Sequence, residues 1–124
     1  MDFKSTLSKL CGANPTVHWL LQRITALLLI PLSYWLIVLL KLTFTAPYQT
    51  TIDWLTSPLN TLALGAWVAA VFYHAALGLQ VVIEDYVPQQ PIQTLSIRAV
   101  NIVFGILALV ALAALFNIFS QGNP

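Results

Sequence analysis

Three long apolar stretches alternate with short polar ones along this chain. The first uncharged run extends from Ile24 to Leu40 and stops at Lys41. The second, from Leu59 to Tyr86, carries His74 well inside it and ends on Glu84-Asp85-Tyr86. The third follows Pro91, takes Arg98 into its first turns and continues through Phe119. Runs of this length and apolarity predict membrane-spanning helices, each needing about 20 residues to cross the hydrocarbon. The expected helices cover about 17–41, 58–86 and 93–119 of a single unit, 1–124.

The punctuation between the runs supports those bounds. Gly12-Ala13-Asn14-Pro15 is a turn-like entry, and His18 and Trp19 stand where an interfacial belt belongs. Pro31 lies inside the first helix and predicts a kink, because its ring removes one backbone bond and crowds the preceding turn. Residues 42–57 are expected to form a connection containing Pro47, Asp53 and Trp54. Ser57-Pro58 opens the second helix, with serine as cap and proline at the first helical position. Pro88 and Pro91 close it and set a short loop with Gln89 and Gln90. Gln121-Gly122-Asn123-Pro124 is expected to be a polar tail.

Composition sharpens this picture. Hydrophobic residues make up 59% of the chain and charged ones 7%, against about 25% charged in a soluble domain. The protein is therefore read as an integral, all-α membrane protein of three spans. A net charge of +1 with no basic stripe argues against a nucleic-acid role. Cys11 is the one cysteine, so neither an internal disulfide nor a multi-cysteine metal site is expected. No Gly-rich phosphate loop, Ser-His-Asp set or CxxC pair appears, so any substrate chemistry belongs to other chains. Lys4 and Lys9 precede the first run, but its length does not fit a cleaved signal peptide. Lys4, Lys9, Arg23 and Arg98 fall on the side of the N-terminus and second loop, against Lys41 on the other. That bias predicts an N-terminus in the cytoplasm or mitochondrial matrix and a C-terminus outside.

Three features carry candidate chemistry. On an ideal helix His74, Gly78, Val81 and Asp85 share one face, which Ala66 and Ala70 extend upstream. His74 either hydrogen-bonds across a helix interface or serves as an axial haem ligand, the small neighbours making room. Only one histidine lies at this depth, so a second axial ligand would come from a partner helix. Arg23 is either a snorkelling interfacial anchor or a counter-charge for a buried carboxylate such as a haem propionate, with His18 a possible second donor. Asp85 and Tyr86 are either an ordinary interfacial cap or a carboxylate and phenol that hydrogen-bond a quinone carbonyl.

His18-Trp19-Leu20-Leu21-Gln22-Arg23-Ile24-Thr25-Ala26, followed by His74, Gly78 and Asp85-Tyr86, resembles the smaller hydrophobic membrane anchor subunit of succinate dehydrogenase, respiratory complex II, of cytochrome b556 type. The likeness covers nearly the whole chain. It implies a non-catalytic subunit that pairs with a second, cytochrome-b-type anchor and shares haem b with it, His74 giving one axial ligand. It further implies Arg23 and His18 at the propionates, Tyr86 and Asp85 at ubiquinone, and docked iron–sulfur and flavoprotein subunits that deliver electrons from succinate. A bacterial or mitochondrial inner membrane is the implied location. Two other readings stay open: an anchor of a fumarate reductase, and a cofactor-free scaffold in which His74 and Asp85 relay protons.

Overall fold

The computed structural model describes residues 15–122, and every element in them is helical. Helix α1 spans Pro15–Thr45, α2 Tyr48–Leu55, α3 Pro58–Tyr86 and α4 Gln90–Gly122. Three of them, α1, α3 and α4, are long and apolar enough to cross a membrane, with mean hydropathies of 2.1, 1.7 and 2.7. The protein is thus an integral, all-α membrane protein. The middle span is the least apolar, and it is the one that packs on both others: α3 contacts α1 and α4 extensively, with no comparable seam between α1 and α4.

Both seams are antiparallel. Gln22, Thr25, Ser33 and Trp35 of α1 meet Gly78, His74, Trp67 and Asn60 of α3, so numbers fall along one helix as they rise along the other. Against α4, Phe72 meets Phe104 and Gly65 meets Leu112. Leu64, Val68 and Leu77 of α3 and Leu55 of α2 are the buried apolar core. The outer faces of α1 and α4 remain open: Leu27, Ile30, Phe44, Leu109 and Phe116 are all exposed. In lipid those side chains need no protein cover, because hydrocarbon solvates them as well as a core would.

The ends of the helices depart from the sequence expectation in specific ways. The segment expected as a plain connection, 42–57, holds the last turn of α1 and all of α2. Its short amphipathic pattern buries Thr51 and Leu55 four residues apart while Tyr48, Gln49 and Asp53 stay outside. Gln49 Nε2 donates to Asp53 Oδ1 at 2.8 Å along that outer face. Ser57 does occupy the N-cap of α3 with Pro58 behind it, but its hydroxyl makes no capping bond. Separately, the carbonyls that end α2 are satisfied from α3, Thr61 Oγ1 donating to Leu55 O at 2.5 Å and Asn60 Nδ2 to Trp54 O at 3.0 Å.

The α3–α4 turn is shorter than expected, because Pro91 enters the first turn of α4 rather than the loop. A proline there loses nothing, since its missing N–H would have had no intrahelical partner. Gln93 then reaches back, its Nε2 donating to Glu84 O at 3.2 Å and Val87 O at 3.0 Å, and satisfies two carbonyls at the end of α3. At the other end α4 runs on through Gln121 and Gly122, so the expected polar tail is helical that far. A Cβ at Gly122 would collide with the Thr56 side chain, so α4 closes on the α2–α3 turn through a residue without one. Helix α1 continues through Pro31 unbroken. The readings placed on Lys4, Lys9, Cys11 and Gly12–Asn14 lie outside the described residues.

Candidate functional site

Helix α3 sets the site because, of the three spans, it alone packs extensively on both of the others. Midway along it, the half-buried His74 turns toward α1, where its Nδ1 lies 2.9 Å from Thr25 Oγ1. Thr25 is 7% exposed, one of two buried polar residues among those described. Its hydroxyl also sits 2.8 Å from Leu21 O and 3.0 Å from Gln22 O, the back-bonded posture of a threonine inside a helix. Among the described residues this contact with Thr25 is the ring's one hydrogen bond, and Nε2 is left without a partner.

The small residues around His74 divide into two groups. Ala66 is exposed and Ala70 half-exposed, so the stripe upstream of the imidazole is open. Gly78 is different: Gln22 Nε2 would lie 3.3 Å from a Cβ there, so the space expected for a flat group is filled by a side chain of α1. Sequence spacing showed the missing Cβ but not which neighbour claims its place. The Gln22 Oε1 is buried and has no hydrogen-bond partner.

The charged and aromatic candidates gather at the end of the bundle where α1 and α4 begin and α3 finishes. Arg23 is exposed, its guanidinium 5.2 Å from the Trp19 ring centroid, a cation–π contact that leaves its charge unpaired by any described carboxylate. His18 does not join it. That ring instead lines a cavity of about 470 Å³ between the helices, with Phe72, Tyr73, Leu77, Gln80 and Phe104. Five residues along a helix turn a side chain about 140° away, which accounts for the separation. Asp85 and Tyr86 are both exposed at the tip of α3, Tyr86 by 81%, and no hydrogen bond joins them. Adjacent helical residues diverge by about 100°, so a phenol backed by its neighbouring carboxylate is not a geometry this helix provides by itself. Asp85 stands about three turns from His74.

Among the described residues no cluster of three or more His, Cys, Asp or Glu side chains is assembled for a metal ion. At this depth the described residues offer one imidazole, His74, as a donor that could suit a haem iron. His74 fits that role on two counts: one ring nitrogen is already engaged and the other is uncommitted. Thr25 is the residue that spacing arguments passed over. Its signal was present as the third residue of Arg23-Ile24-Thr25-Ala26, a polar side chain facing inward from an apolar run.

A three-span bundle that keeps one histidine at mid-depth and leaves its outer faces to lipid or other chains defines a membrane anchor. Residues 5–115 match the model of the succinate dehydrogenase/fumarate reductase transmembrane subunit family, and the chain belongs to that family. It is similar to the succinate dehydrogenase hydrophobic membrane anchor subunit of Rickettsia bellii (strain RML369-C), 40% identical over 108 residues, which cover 87% of this chain and 83% of that one. The protein of the same name from Rickettsia felis (strain ATCC VR-1525 / URRWXCal2) is 45% identical over 87 residues, 69% of this chain and 71% of the relative. That of Rickettsia conorii (strain ATCC VR-613 / Malish 7) is 36% identical over 121 residues, 93% and 95% of the two chains. No solved structure matches the chain.

Proposed function

We propose that this chain is the smaller of two membrane anchors in a succinate:ubiquinone oxidoreductase, itself non-catalytic. It tethers the flavoprotein and iron–sulfur subunits and shares a haem b with a second, cytochrome-b-type anchor. The observation that carries the reading is His74: a half-buried imidazole in the middle of the central span, with one nitrogen hydrogen-bonded and the other without a partner among the described residues. An isolated polar ring at that depth is costly in lipid and calls for a functional partner. When bound, the haem supplies one-electron redox chemistry between the soluble subunits and the quinone region.

The chain's own residues divide the remaining work. His74 would hold the haem iron. Arg23, whose charge no described carboxylate neutralises, meets the propionates, while His18, turned into the cavity away from Arg23, does not share that contact. The Tyr86 hydroxyl donates to a ubiquinone carbonyl, and Asp85 carries a proton at the same level. The positive-inside pattern puts this end in the cytoplasm or matrix, on the side where the soluble subunits dock. The family's description covers fumarate reductase as well, but the relatives are named for succinate dehydrogenase, which favours that direction.

The test is a reduced-minus-oxidised visible spectrum of the complex recovered through this chain, beside the same complex carrying His74→Ala. A b-type signal that is lost in the variant is the expected result. A haem-free complex with intact soluble subunits removes the ligand assignment and leaves a haem-free anchor. Recovery of no redox subunits returns the chain to a scaffold or proton relay. Tyr86→Phe is expected to keep the haem signal and lose quinone reduction.

A further inference from the structure

We propose that Thr25 is the positioning residue of His74, accepting a hydrogen bond from its Nδ1–H and thereby reserving Nε2 for the haem iron; this rests on the axial-ligand reading above. The hydroxyl of Thr25 has a single proton and three polar neighbours: Leu21 O at 2.8 Å, Gln22 O at 3.0 Å and His74 Nδ1 at 2.9 Å. Two of the three are carbonyl oxygens, which only accept. Oxygen atoms at these separations repel unless a proton lies between them. The threonine proton therefore points back along α1, and its oxygen offers lone pairs to α3.

His74 Nδ1 must then be the donor. In a neutral imidazole the proton sits on one nitrogen, so Nε2 carries the lone pair. Thr25 is buried, which removes water as a competing partner for its hydroxyl. The hydroxyl is also immobilised by its own carbonyl bonds, so the imidazole plane is held as well as the tautomer. The outcome is a relay of dipoles from the α1 backbone through a hydroxyl to an imidazole, which makes the ring a stronger electron donor. Helix α1, which supplies no ligand in this reading, thereby tunes the one on α3.

The discriminating pair is Thr25→Val, which keeps the shape and removes the oxygen, and Thr25→Ser, which keeps the oxygen. Both are made in the full complex and read by haem retention in detergent against a haem-scavenging globin and by redox titration of the b-type band. Thr25→Val is expected to hold haem about 10- to 100-fold less tightly, and its midpoint potential is expected to rise because a weaker donor favours the ferrous state. Thr25→Ser is expected to match the unsubstituted complex in both. If Thr25→Val does not assemble, Thr25→Cys, with a poor acceptor of similar size, carries the same expectation. Haem that is lost in His74→Ala but is indifferent to Thr25→Val overturns the role of Thr25 alone. An unsubstituted complex without haem overturns the ligand reading and this inference together.

Discussion

The two seams of α3 are built on different chemistry. Toward α1 it makes three side-chain hydrogen bonds: Thr25 with His74, Trp67 Nε1 donating to Ser33 Oγ at 3.2 Å, and Trp35 Nε1 donating to Asn60 Oδ1 at 3.2 Å. Toward α4 the contact is apolar, Phe72 edge-on to Phe104 at 6.0 Å and Leu112 beside Gly65, while Gln93 hydrogen-bonds across at the turn. A bilayer supplies no hydrophobic drive between helices, so both seams rest on close packing. Polar pairs add direction to that packing. They fix the register of α1 against α3 and so determine which way His74 faces. The α4 seam has no such constraint, and the cavity lined by Phe72, Tyr73 and Phe104 lies along it.

Substitutions that cut each seam separately test this contrast. Asn60→Leu removes both the Trp35 bond and the donation to Trp54 O, which tie α1, α3 and α2 together. It is expected to cost about 1–2 kcal/mol, since single interhelical bonds in membranes average about 0.6 kcal/mol. A detergent-denaturation series on the purified complex measures it, and no loss of stability there would mean that the polar seam is ornamental. Phe104→Ala removes the aromatic edge contact and enlarges the cavity. Its expected cost is about 0.5–1.5 kcal/mol by the same assay, with the haem spectrum unchanged. A spectral change would show that the two seams are coupled through α3.

Gly105→Ala is the mildest case. Nothing lies within 4 Å of a Cβ placed there, so no cost is expected, and helix propensity alone offers a gain of at most about 1 kcal/mol. A clear loss of assembly would mark the exposed face of α4 at Gly105 as a seat for another chain.

How much of this was legible beforehand follows from what each feature depends on. The three spans were legible because long uncharged runs have few other stable forms in a chain this apolar. The start of α3 at Ser57-Pro58 was legible for a similar local reason. Helix α2 was missed because eight residues, about two turns, of mixed polarity give too little periodicity to separate from a loop. Pro91 was taken for a terminator when it opens a helix; the deciding contact, Gln93 back to Glu84 and Val87, joins two elements. His74 stood out as a lone imidazole in an apolar run. Thr25 did not, because threonine is common in membrane helices and its meaning comes entirely from the ring it faces.

The sequence by itself determined the protein's class, the number of its spans, the end at which Arg23, Arg98, Glu84 and Asp85 collect, and the residue most costly to leave idle in lipid. These are properties of hydropathy and charge, which act residue by residue against the bilayer. Tertiary structure alone decided that α3 is central, that Gln22 fills the space over Gly78, that His18 turns into a cavity away from Arg23, and that Thr25 holds His74. Each of these depends on which face of one helix meets which face of another. That choice is made by packing and by a few interhelical hydrogen bonds, between residues that lie tens of positions apart in the chain.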